Sequence, residues 1–271
     1  MYGEQYVRAV DTKDLKMWKL IVTFLVVAAF FHGNSGASED HILRDLLQTY
    51  RTRPVKNNSD TVQVTVDVVL LHVNSLDVNS QVLSVNAYHR MSWRDRDLVW
   101  DPQFRGGVRR MHVMSSLIWL PDIVLLNLRG ASKLLLDPRA VVSHDGTVVW
   151  IPVYQHSAHC NTDLGRYSQE CNLKFGSWSY NQKEINLAYG AQKMDLSNLE
   201  PNRDWAVQYT AVKRNAISYS CCPGEIFVDL TYSLTLRMKK NTSSALTASS
   251  GFTDRPFVVI FVVSLIVGIM V

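Results

Sequence analysis

The chain has 271 residues, 47% hydrophobic and 19% charged, a balance that excludes a disordered tail and allows one sizeable core. Its formal net charge is only +4, with both signs interspersed, so no Lys/Arg-rich stripe offers a nucleic-acid surface. Four cysteines are too few for a disulfide-scaffold miniprotein and enough for two bridges in an oxidising compartment.

Met17-Trp18-Lys19 precedes an uncharged, mostly apolar run, Leu20 to Phe31, followed by small residues at Ser35 and Ala37. That order reads as a secretory signal cleaved after Ala37, with residues 1–16 as an extended leader; a signal anchor or a buried helix is the rival reading. Export predicts permanent disulfides. Residues 38–240 form the expected globular domain. Ser38 caps a short helix with Glu39 and Asp40 in its first turn, and Leu43, Leu46, Leu47 and Tyr50 recur at helical spacing. After Pro54 the period becomes two. Val62, Val64, Val66 and Val68 alternate with Gln63, Thr65 and Asp67, the pattern of a half-buried strand.

Further strand-like runs cover 80–91, 110–118, 123–128, 139–143, 147–153, 184–189, 205–212 and 226–237. Turn residues separate them at Gly106-Gly107, Asp137-Pro138, Asp145-Gly146, Pro201-Asn202 and Pro223-Gly224. Many short strands without intervening helices predict an all-β fold, an immunoglobulin-like sandwich of about ten strands with one short N-terminal helix. Residues 241–256 read as a polar linker. Residues 257–271 carry no charge. Small residues around Ser243 and a polar spacer before that apolar tail fit a GPI-attachment signal. The alternative is the opening of a truncated transmembrane helix, although fifteen residues cover only about 22 Å of a ~30 Å hydrocarbon core.

Cys160 and Cys171 enclose ten polar-biased residues, Asn161 to Glu170. They read as a hairpin staple, or, with His156 and His159 nearby, as part of a zinc site; the disulfide is preferred and no metal is expected. Cys221 and Cys222 are adjacent in sequence. Such a pair stays reduced or closes a strained ring, because consecutive Cα atoms lie near 3.8 Å, below the usual disulfide range. Strained elements persist where a fold uses them, often at ligand sites.

Four stretches together carry a resemblance: Leu98-Val99-Trp100-Asp101-Pro102 with Gly106-Gly107; Ser115-Ser116-Leu117-Ile118-Trp119-Leu120-Pro121-Asp122-Ile123; Leu173-Lys174-Phe175-Gly176-Ser177-Trp178-Ser179-Tyr180; and Tyr219-Ser220-Cys221-Cys222 with Phe227-Val228-Asp229. The chain resembles the extracellular ligand-binding domain of nicotinic acetylcholine receptors and the related soluble acetylcholine-binding proteins, from about Asp40 to Lys239. The resemblance implies an aromatic box between two subunits of a pentamer, holding a cationic, acetylcholine-like ligand by cation–π attraction. No cofactor is implied.

On the principal face, the resemblance gives Trp178 the main ring. Tyr219 and Phe227 flank a loop stiffened by a Cys221–Cys222 disulfide, and Leu126 stands where the family usually has tyrosine. Phe227 also replaces a common tyrosine. The complementary face maps to Tyr88, Val141, Val149 and Ile151. A coupling trio maps to Lys174, Tyr219 and Asp229. Trp93 and Trp119 are assigned to core.

The Cys160–Cys171 loop lacks the apolar Phe-Pro element that meets the membrane domain in channel subunits. The function expected is therefore a non-channel acetylcholine-binding protein at the cell surface or secreted, most simply a homopentamer, since both faces occur on one chain. The alternative is a truncated or accessory alpha-type subunit of a nicotinic cation channel. No Gly-x-Ser-x-Gly, His-Glu-x-x-His or phosphate-loop motif supports an enzyme. Sequons at Asn57 and Asn241 predict glycosylation on export.

Overall fold

The computed structural model describes residues 39–239, apart from residues 49 and 51. The expected leader and signal (1–37), the linker (241–256) with Asn241, and the apolar tail (257–271) lie outside the described residues. Among the described residues no helix is long and apolar enough to cross a membrane.

Helix α1 (Glu39–Leu47) keeps Glu39 and Asp40 in its first turn, where carboxylates suit the positive end of the helix dipole. Leu43, Leu46, Leu47 and Tyr50 rest half-buried on the core, but the deepest anchor is Ile42, with no exposed surface. Twelve strands follow: β1 (Val62–Asp77), β2 (Val82–Val99), β3 (Arg110–Val113), β4 (Ile123–Leu125), β5 (Lys133–Leu136), β6 (Ala140–Ser143), β7 (Asp145–Trp150), β8 (Val153–His159), β9 (Ser168–Ser177), β10 (Ile185–Ala188), β11 (Trp205–Ile217) and β12 (Phe227–Met238). The class is the expected all-β sandwich; β5, most of β8 and β9 were not among the strand-like runs.

One sheet runs β10-β1-β2-β7-β6-β3, with β8 paired to both β2 and β5; the other runs β11-β12-β9-β4. The long β2 serves two partners in turn. Val82–Tyr88 pair with β8, Met91–Arg94 pair with β7, and the Ile151-Pro152 step carries the chain between them. Inward residues alternate as β periodicity requires: Val64, Val66 and Val68 are buried on β1, and Leu173 and Phe175 on β9. Each such side chain contributes roughly 1.5–3 kcal/mol by leaving water. Gly146 has φ +85°, and a Cβ there would sit 2.2 Å from the Asp95 carbonyl oxygen, so only glycine lets the β6–β7 turn rest against β2.

Several links tie the sheets together, including bonds from Arg214 on β11 to Leu187 and Asn186 on β10. Cys160, one residue past β8, is bonded to Cys171 on β9. The Tyr232 hydroxyl on β12 donates to the Val66 carbonyl on β1 at 2.6 Å. Between the sheets lies a buried polar pair, His89 on β2 and His156 on β8, with Nε2 atoms 2.9 Å apart. Ser132 Oγ lies 2.8 Å from His156 Nδ1, and Phe175 and Tyr154 ring the pair. Burial drives the His89 pKa well below its usual range and lowers that of His156 to about 4, so both rings are neutral at pH 7.

The side chains of the zinc alternative are held apart. His156 faces inward, His159 points to solvent on the other side of β8, and the Cys160 sulfur is consumed by Cys171. Among the described residues no group of three or more His, Cys, Asp or Glu side chains is placed to hold a metal.

Candidate functional site

Three segments distant in sequence converge where β4, β9 and the β11–β12 hairpin lie side by side. They enclose a pocket of about 260 Å³ whose lining includes Leu126, Trp178, Tyr219, Cys221, Cys222 and Phe227, all six residues expected on the principal face. Ser177, Val228 and Asp229 complete the lining.

Trp178 follows the last residue of β9, and 74% of its surface is exposed. A large ring this open is informative, because indoles are normally mostly covered. Its backbone is held firmly. Trp178 N–H donates to the Asp122 carbonyl at 3.3 Å. The Asp122 carboxylate accepts from Ser177 Oγ at 2.6 Å and from Ser179 N–H at 2.8 Å. Ser177 Oγ in turn accepts from Tyr180 N–H at 3.0 Å. The residues on both sides of the indole are thus fixed while its face stays open.

Leu126 sits just past β4, its N–H donating to the Lys174 carbonyl at 2.7 Å. It lies over Gly176, where a Cβ would approach Leu126 Cδ1 to 2.8 Å. Glycine at 176 is what lets the Leu126 side chain reach the pocket.

The hairpin supplies the remaining wall. Tyr219 and Phe227 meet edge to face, centroids 5.5 Å apart, an arrangement that favours aromatic pairs. The turn between them is closed by Cys222 N–H to the Tyr219 carbonyl and Glu225 N–H to the Cys222 carbonyl, both at 3.1 Å. Gly224 there has φ +86°. Cys221 and Cys222, the expected vicinal pair, stand side by side in this turn with their thiols free here. A hydrogen bond with Cys221, with burial second, pushes the Cys222 thiol pKa up.

At the back of the pocket Asp229 is 2% exposed. Its Oδ1 accepts from Asn215 Nδ2 at 2.7 Å and Thr231 Oγ1 at 2.8 Å. Its Oδ2 has no hydrogen-bond partner, and Lys174 Nζ stands 3.8 Å away. This carboxylate, paired with Lys174 at the edge of ion-pair range, gives the back of the pocket a partly offset negative charge. The Lys174–Asp229 half of the expected trio is therefore in contact, while Tyr219 packs on Phe227.

Tyr88, Val141 and Val149 lie on the other sheet and Ile151 in the step between its β7 and β8; none of the four lines this pocket. Val141 and Val149 are register partners on β6 and β7. Tyr88 pairs with Val153, and Ile151 is 38% exposed in the step between β7 and β8. They alternate with buried neighbours such as Ala87, Ala140 and Val148, so they face out of the core. Trp93 and Trp119 pack edge to face within or against the core, as assigned. Asn57 is exposed in a turn.

The sequence reading gave no role to Asp122, Ser177, Gly176, Asn215 or Thr231. Asp122 was visible in the Trp-Leu-Pro-Asp run, but nothing in that run shows which backbone its carboxylate binds.

The sequence is similar to known proteins of one family. The model of the neurotransmitter-gated ion-channel ligand binding domain matches residues 39–240. Neuronal acetylcholine receptor subunit alpha-6 of Rattus norvegicus is 33% identical over 216 residues, covering 77% of this chain and 44% of the relative. Acetylcholine receptor subunit alpha-L1 of Schistocerca gregaria is 35% identical over 210 residues, covering 72% and 38%. Neuronal acetylcholine receptor subunit alpha-9-II of Oncorhynchus mykiss is 29% identical over 232 residues, covering 83% and 42%. The chain thus spans half or less of the length of the curated relatives it matches.

Proposed function

We propose, from the premise that this chain belongs to the neurotransmitter-gated ion-channel ligand binding domain family, that it binds small quaternary or tertiary amines of the acetylcholine type. The supporting observation is the pocket itself, with an open indole at Trp178, paired rings at Tyr219 and Phe227, and a buried carboxylate oxygen without a hydrogen-bond partner. An onium group donates no hydrogen bond, so ring faces and a nearby negative charge are the groups that hold it.

One chain supplies half a box. The outward patch of Tyr88, Val141, Val149 and Ile151 is on the opposite sheet and its β7–β8 step, so a second copy or a related subunit presents it to the ligand; a pentamer is the assembly. Oxidation of Cys221 and Cys222 on export stiffens the hairpin. The domain is extracellular, carried by a signal segment at 1–37 and retained at the surface by the 257–271 segment.

Of the two settings, the non-channel binding protein is favoured by the Asn161–Glu170 loop, which offers mainly polar side chains. The accessory or alpha-type channel subunit is favoured by the similarity to receptor subunits and by Leu164 and Tyr167, 75% and 74% exposed on that same loop.

Isothermal titration of the purified protein with acetylcholine and tetramethylammonium tests the binding reading: saturable heat is expected, and none at millimolar ligand overturns it. Acetylcholine-evoked current in injected oocytes decides for the channel setting; ligand binding without current decides for the binding protein.

A further inference from the structure

A second cavity, about 480 Å³, lies behind the same hairpin, and none of the residues discussed above lines it apart from Gly224, Glu225 and Gln63. Its volume is within the range of small-molecule sites. The floor is the parallel pairing of β1 with β10, where Gln63 is the register partner of Asn186. Asn186 is committed at both ends of its carboxamide: Nδ2 donates to Gln63 Oε1 at 2.8 Å, and Oδ1 accepts from Arg214 Nη2 at 2.6 Å. That leaves the Gln63 amide nitrogen as a donor held in place beside the cavity.

One flank is the turn after Trp178, including Gln182 and Lys183. It is tied to the floor by Thr61 Oγ1 donating to the Lys183 carbonyl at 2.6 Å. The other flank is the hairpin, through Glu225 and Ile226, joined to the first by Gln182 N–H donating to the Ile226 carbonyl at 2.7 Å. Lys183 and Glu225, of opposite charge and on opposite flanks, take part in no ion pair among the described residues.

We infer that this rear cavity is a site for a small zwitterion, of the free α-amino-acid class. Its carboxylate is received by Lys183 and the Gln63 amide, its ammonium by Glu225, and a short side chain by Ile226. A simple cation meets Lys183 there and is disfavoured; a simple anion meets Glu225. The front pocket, with its orphan carboxylate oxygen, has the opposite preference. The two cavities share the hairpin as a wall, so a ligand bridging Lys183 and Glu225 clamps the hairpin in the position that forms the front pocket. Linkage then makes the two sites mutually reinforcing.

The direct test uses the purified full chain and glycine or L-glutamine, followed by saturation-transfer NMR and titration calorimetry. Saturable, roughly millimolar binding is expected, weakened at least tenfold in both Lys183→Gln and Glu225→Gln. Absence of binding, or binding that neither substitution alters, overturns the site. This arm does not involve the aromatic pocket, so its outcome is independent of whether an onium ligand binds. The second arm titrates tetramethylammonium with and without saturating glycine. An affinity gain of about fivefold, lost in Glu225→Gln, is expected from typical coupling strengths. Equal affinities overturn the hairpin link and leave the direct result as the measure of the site.

Discussion

Phe175 and Trp178 are three residues apart on and just past β9, and they end in opposite worlds. Phe175 is completely buried against two histidines whose imidazoles face each other, while Trp178 is 74% exposed in a pocket that also holds Asp229, one of whose carboxylate oxygens has no hydrogen bond. Both clusters are aromatic and both hold polar atoms. The inner one has two of its polar atoms satisfy each other and sits in its neutral form; the outer one keeps open ring faces and a charge. Aromatic content alone therefore marks neither core nor site. Each also keeps one buried polar atom without a hydrogen bond, His89 Nδ1 inside and Asp229 Oδ2 at the pocket, so what separates them is whether a ring face is left open to solvent.

Acid is expected to break the inner cluster first. His156 falls from 6.5 to about 4 on folding, so below pH 6.5 the unfolded chain takes up protons that the folded one refuses. Stability is full above that pH and lost as pH falls towards 4, by about 3 kcal/mol for this ring alone, with His89 adding in the same direction. Urea unfolding at pH 7, 5.5 and 4.5 measures the slope. The double variant His89→Gln/His156→Gln should lose most of it, whatever its starting stability.

In the outer cluster, Trp178→Ala should weaken onium binding by about 2 kcal/mol, roughly thirtyfold. Because the ring is exposed, the unfolding midpoint should hardly move; a large shift would make Trp178 a core residue after all. Asp122→Ala removes the groups that fix the backbone on both sides of the indole and should weaken binding by about 1 kcal/mol while leaving the ring present. Tryptophan emission then shows a more mobile indole. The smallest effect runs the other way. Leu126→Tyr adds a ring to the pocket and should strengthen onium binding by roughly 0.5–1 kcal/mol, read in the same titration.

The outer site was more legible in sequence than the strands that carry it. Trp178, Tyr219, Phe227 and Leu126 were found from motif resemblance, and the structure brings them to one pocket. Yet β9 itself was absent from the strand-like runs. Its inward set of Gln169, Cys171, Leu173 and Phe175 includes a buried glutamine, and that polar residue hides the alternation; Gln169 is satisfied by the Asp163 and Arg166 carbonyls of the neighbouring loop. Strand β5 has all four side chains exposed, so it has no burial period to read. The His89–His156 contact joins residues 67 positions apart on paired strands, and local patterning carries no trace of it.

The covalent tie between Cys160 and Cys171 also bears on how the molecule is made. Ten intervening residues form a small ring, and small rings close with little entropic loss. A nascent chain that oxidises there early holds the end of β8 beside β9 before either layer has found its distant partners. The slow, non-local search then begins with the relative placement of the two layers already decided at one corner, which shortens the hardest stage of assembling a β topology.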